Sequence, residues 1–180
     1  MTTENISDPF AAVFEVMQRY ADVVHGGLDE RWEKLKPHVQ LYESETYEVI
    51  TGLLARQATL TIHLALNPGT WTGHIAPLIL RAMTDAHITL AWVLKEPTER
   101  AKRYVLYGLG QEKLHIAHLE QAVKEESEEQ EQLKKLIEVK KAWLTSQRHD
   151  FLTEVNVGSW SGQNAREMAQ EADCEGLYRF

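Results

Sequence analysis

Between Ile75 and Leu94 the chain is apolar on nearly every side of a helix. Ile75, Leu78, Ile79, Leu80, Met83, Ile88, Leu90, Trp92, Val93 and Leu94 leave no polar face. A helix that is hydrophobic all round needs neighbours on all sides. The segment is therefore predicted as a central helix from about Trp71 or Gly73 to Lys95. Pro77 falls in its first turn, and Glu96-Pro97 ends it.

Other segments can supply those neighbours. Asp8-Pro9 reads as an N-cap followed by a first-turn proline. Phe10, Val13, Phe14, Met17, Tyr20, Ala21 and Val24 then recur at helical spacing, and Gly26-Gly27 is read as a stop. A second start covers Asp29 to about Lys36, interrupted by Pro37. A long apolar segment runs from about Tyr42 to Leu66. Its last part, Leu60-Thr61-Ile62-His63-Leu64, alternates like a strand, but it continues a helical pattern and has no partner strand nearby. Asn67-Pro68-Gly69-Thr70 is a turn. Helical patterns follow at 98–124 and 130–147, separated by the charge run Glu125-Glu126-Ser127-Glu128-Glu129, and they form either a hairpin or one rod. Phe151 to Gly162 reads as loop and Gln163 to Ala172 as a short helix. The expected class is all-α, a bundle of five to seven helices in a single domain over residues 1–180, with residues 1–7 disordered.

Composition narrows the function classes. Nineteen basic against 27 acidic residues give a net charge of −8, which disfavours a DNA-coating protein or a polybasic membrane binder. The single cysteine, Cys174, allows no intramolecular disulfide and no cysteine-rich zinc site, and it reads as inert. No run of 18 apolar residues and no signal peptide is recognised, so the expectation is a cytoplasmic protein that neither spans nor coats a membrane. Glu112-Lys113-Leu114-His115, followed by His118, is one Glu-x-x-His step. A di-iron bundle needs two, and Asp22-Val23-Val24-His25 is the nearest imitation, so no metal and no cofactor is expected. Nucleophile-elbow, Walker, Rossmann and His-Glu-x-x-His motifs are not found.

The polar residues on the central helix carry the functional reading. Arg81 and Asp85 stand four apart and can pair on one face, with Thr84 beside them. Such a pair either fixes helix register or frames a site with a functional arginine. His87 follows Arg81 with five residues between them, and Arg56 and His63 are seven apart on one face of the preceding helix. Arg81 and His87 lie about 240° apart round an ideal helix. The same spacings recur at Arg19/His25 and Arg31/His38, which fall outside the strongly apolar segments. On the next helix Arg100, Tyr104, Tyr107 and Gln111 form a stripe with Arg103 beside it. Arginine and tyrosine on one face suit phosphate or nucleotide contact, or simply line a core boundary.

The run Leu78-Ile79-Leu80-Arg81-Ala82-Met83-Thr84-Asp85-Ala86-His87, continuing to Trp92-Val93-Leu94, resembles a bacterial helical family of unknown function. Its members share a Leu-Leu-Arg helix with an acidic residue four places after the arginine. Pro97 to Tyr107, with Arg103 and Tyr104, is similar too, and the resemblance covers roughly residues 45–120. That family is similar in layout to HEPN-type helical domains, which cut RNA without metal through Arg-x4–6-His and several of which act in toxin–antitoxin and phage-defence systems. The resemblance implies arginine on phosphate and histidine as proton carrier. Two departures stand out. Ala82 occupies the place after the arginine, where HEPN ribonucleases usually carry a polar residue. Family members also continue beyond a Leu-Tyr-Arg element into a helix bearing Tyr/Ser and His, whereas this sequence ends at Leu177-Tyr178-Arg179-Phe180, which reads as a truncation.

Two functions are expected in competition. The first is an RNA- or nucleotide-directed, HEPN-like protein, with catalysis from Arg81, Asp85, His87 and His63 and substrate contacts from Arg56, Arg100, Arg103, Tyr104 and Tyr107. If it is an enzyme, it is a metal-independent ribonuclease. The second is a non-catalytic module that forms a homodimer or binds a partner, marked by exposed apolar stripes on 130–147 and by Trp143. A pocket for a small apolar molecule is a third, weaker reading.

Overall fold

The structure is a computed structural model that describes residues 9–36, 44–124, 130–147 and 161–179. The expectations for residues 1–7, Pro37, the charge run 125–129, most of the loop 151–162 and Phe180 lie outside the described residues. Six α-helices follow in chain order: α1 (Pro9–Leu35), α2 (Ser44–Leu66), α3 (Ala76–Val93), α4 (Pro97–Lys124), α5 (Gln130–Ser146) and α6 (Ala165–Glu171). Short 3-10 turns lie at Pro68–Thr70 and Glu175–Arg179. Among the described residues there is no strand, so the class is all-α. The chain divides into two compact units, one of residues 1–97 with 165–180 and one of residues 98–164.

In the first unit α2 packs against α1 on one side and α3 on the other. Met17 and Ala21 of α1 are buried, as are Val49, Leu53 and Ala58 of α2. The Gly26-Gly27 stop does not occur: α1 runs through both glycines to Leu35 as one helix. Two glycines cost a helix interior about 2 kcal/mol. The apolar face resumes beyond them at Leu28 and Leu35, and docking against α2 outweighs that local penalty. The guanidinium of Arg31 also donates to the Gly27 carbonyl at 3.0 Å. The alternating stretch Leu60–Leu64 is helical, inside α2.

A tight turn reverses the chain into α3. The Asn67 side chain accepts from Gly69 N at 3.1 Å, and Trp71 Nε1 donates to the Leu64 carbonyl at 2.6 Å. The helix starts later than expected, at Ala76 with Pro77 in its first turn, after Thr72 Oγ1 has accepted from Ile75 N. Only its second half is a buried core: Ala86, Ile88, Trp92 and Val93 are enclosed, while Leu78 and Leu80 are exposed.

The C-terminal segment returns to this buried half. α6 and the turn after it pack on α3, with Met168 and Ala169 buried. Trp92 Nε1 donates to Glu171 Oε2 at 2.7 Å, and Lys95 Nζ lies 2.6 Å from Asp173 Oδ2. Asp173 takes a left-handed backbone, φ 58°, and ends α6, with Cys174 N donating to the Ala169 carbonyl at 2.8 Å. Aspartate is among the few non-glycine residues that accept this position.

The second unit is a helical hairpin, which settles the choice between hairpin and rod. Leu109 and Ile116 of α4 share a buried cluster with Ile137 and Leu144 of α5, flanked by Val105, Leu119 and Leu133. Glu112 pairs with Lys140, and Glu120 pairs with Lys141. Along one continuous rod, residues 28 and 21 positions apart would lie about 42 and 32 Å from each other at 1.5 Å per residue, so these contacts require α5 to fold back beside α4.

Candidate functional site

Arg81 and Asp85 project from one face of α3 and form an ion pair. Arg81 Nε lies 3.2 Å from Asp85 Oδ1 and 3.3 Å from Oδ2, and donates its hydrogen bond to Oδ2. Oδ1 is turned inward and accepts no hydrogen bond among the described residues. The pair is not sealed: the two side chains are 41% and 47% exposed. The guanidinium carbon also stands 5.0 Å from the centre of the Tyr178 ring, so the charge lies over an aromatic face.

Asp85 therefore holds the Nε edge of the guanidinium and Tyr178 covers one face. No hydrogen bond or ion pair engages the two terminal nitrogens among the described residues. A planar cation fixed at its stem and face, with its fork open, can receive a carboxylate or a phosphate on two parallel hydrogen bonds.

The other expected site residues are spread out. His87 is exposed on α3, and His63 and Arg56 are exposed on α2. Neither histidine has a hydrogen-bond or ion-pair partner among the described residues. Arg56 neighbours Gln57, whose Nε2 donates to the Met83 carbonyl at 2.9 Å and whose Oε1 is buried without a partner among the described residues. Arg100, Arg103, Tyr104 and Tyr107 sit on α4, in the other compact unit from Arg81. Arg100 is buried at 5% exposure, Arg103 is exposed, and the two tyrosines are half-buried.

Tyr178, Glu171 and Asp173 were not foreseen as contacts of α3. One signal did point toward them. A tryptophan on a central helix needs an acceptor for its indole N–H, and the acidic residues after 165 were candidates to supply it.

Elsewhere in the first unit α1 and α2 enclose an open groove of about 420 Å³, floored by Leu28, Trp32, Leu35, Leu54 and Ala55 and edged by Glu48 and Thr51. The Thr51 hydroxyl is already bonded to the Tyr47 carbonyl at 2.6 Å. Burial, and next to it the Asp173 carboxylate, raises the Cys174 thiol above its ordinary range, while Lys95 partly offsets this. The thiol is therefore a poor nucleophile at neutral pH. Glu112 is engaged by Lys140 and lies 3.9 Å from His115 Nδ1. Among the described residues no three metal-ligating side chains converge. One described helix, α2, is long and apolar enough to cross a membrane by length and composition alone, a test that core helices also pass, and it packs between α1 and α3.

The sequence profile of a family of unknown function, DUF5677, matches residues 47–180. The chain belongs to that family. The match takes in α2 from Tyr47, all of α3 to α6, and the Arg81–Asp85–Tyr178 cluster, and leaves α1 outside. No curated protein and no solved structure is a significant match.

Proposed function

We propose that the chain is an RNA- or nucleotide-directed protein of the bacterial cytoplasm, HEPN-like in layout, in which Arg81 holds a phosphate. The observation that carries this reading is the half-exposed Arg81 guanidinium, held by Asp85 at Nε and stacked on Tyr178 with its fork open. Holding the cation in place before the ligand arrives lowers the ordering cost of binding. Asp85 orients the arginine rather than touching the ligand. Recognition is better supported than cleavage. His87 points about 240° round α3 from Arg81, so it reaches a bound phosphate only where the ligand wraps the helix.

The test is a fluorescence-anisotropy titration with a single-stranded RNA oligonucleotide and with ATP, on the wild-type chain and on Arg81→Ala. Two charge-assisted hydrogen bonds lost at a half-exposed site correspond to about 1.5–3 kcal/mol, or roughly ten- to a hundredfold in Kd. Wild-type binding that Arg81→Ala leaves unchanged overturns the reading, as does a wild-type chain that binds neither probe. RNA incubated in EDTA with the same two proteins reports cleavage separately.

One observation favours the alternative, a non-catalytic partner-binding module. On α5, Leu136, Val139 and Trp143 are spaced three and four apart and are 44%, 66% and 50% exposed. Under that reading Trp143→Ala loses the partner, while Arg81→Ala has no effect on partner or RNA.

A further inference from the structure

The first unit carries a second apolar seam that its own helices do not use. On α1 the buried positions Met17 and Ala21 face α2. About a quarter turn away stand Val13, Val16, Tyr20 and Val23, which are 45%, 68%, 52% and 67% exposed. Their spacing is three, four, three, the a/d rhythm by which one helix packs along another.

We infer that this seam is a dimer interface and that its occupant is a second copy of this chain. The area is sufficient. At about 150–200 Å² for each fully exposed side chain of this size, the four residues offer roughly 400 Å² of apolar surface. Two copies contribute roughly 800 Å², the apolar share of an interface of about 1,200 Å² that is about 65% apolar. A two-fold pairing places the same seam against itself, so its regular spacing is complementary to its own copy. α1 is already a folded helix packed on α2, and association does not have to order it.

The charges on α1 argue against a lipid surface as the occupant. Glu15, Asp22, Asp29, Glu30 and Glu33 outnumber Arg19, Arg31 and Lys34, whereas a helix lying on a membrane carries a basic polar face. The inference is independent of the phosphate reading at Arg81.

The test is light scattering coupled to gel filtration at high micromolar protein, on the wild-type chain, Val16→Glu/Val23→Glu and Val139→Glu. The wild-type mass is expected near twice 20.6 kDa. The α1 double variant is expected at the monomer mass with unchanged helical circular dichroism, and Val139→Glu is expected to remain dimeric. Three results overturn the inference: a monomeric wild type, including one that sediments with anionic vesicles instead; a dimer that survives the α1 double variant; or a dimer dissolved by Val139→Glu and not by the α1 variant. Should the double variant lose its helical signal, amide exchange on the wild type decides. Slower exchange in α1 at high than at low protein concentration supports the seam, and equal exchange refutes it.

Discussion

Gln57→Met should make the protein more stable. Gln57 reaches from α2 to α3, where its Nε2 donates to the Met83 carbonyl at 2.9 Å. Its Oε1 is buried and accepts nothing among the described residues. A buried acceptor left unmade costs about 1–3 kcal/mol, while one neutral hydrogen bond contributes about 0.5–1.5 kcal/mol. The Met83 carbonyl loses little, because it lies inside α3 and keeps its own ladder partner four residues on. Methionine has a similar length and no polar atom needing a partner, so it fills the same space. The net expectation is a gain of about 1 kcal/mol, which for a chain of this size raises Tm by about 2–4 °C. Gln57→Glu should do the opposite, because it puts a carboxylate where no donor meets Oε1. Thermal melts with urea titrations on the three proteins measure both effects. A Gln57→Met variant less stable than wild type by 1 kcal/mol or more would refute the reasoning, since Oε1 would then be engaged rather than orphaned.

Two further outcomes follow from the same geometry. Tyr178→Leu removes the aromatic face under Arg81; a cation–π contact at a half-exposed site contributes about 0.5–1 kcal/mol, so the RNA titration should show a two- to fivefold weaker Kd, well short of the loss from Arg81→Ala. Ile137→Ala empties a site in the small cluster that joins α4 to α5; at about 2–4 kcal/mol it should speed amide exchange throughout the hairpin while the α2–α3 amides keep their protection.

What could be read from the sequence was what depends on short range. Val49 to Leu66 and Ile75 to Leu94 gave their helices away because side-chain spacing along one helix is fixed by its geometry. The Arg81–Asp85 pair was legible for the same reason, since four residues on a helix bring two side chains together wherever that helix ends up. Gly26-Gly27 was misread because glycine reports a local preference of about 1 kcal/mol per residue, while α1 as a whole is docked against α2. Tyr178 stayed hidden because it is 97 positions from Arg81, and the unmet indole N–H of Trp92, the one cue toward the C-terminal segment, does not say which ring comes back to Arg81. The docking of α6 is set by a burial pattern and two polar links, Trp92 to Glu171 and Lys95 to Asp173. The candidate site thus has one half written in a helix and one half written in the return of the chain. An arginine paired only with Asp85 would be a register-fixing ion pair, and it is the Tyr178 ring, brought back by α6, that turns the pair into a held cation with an open fork.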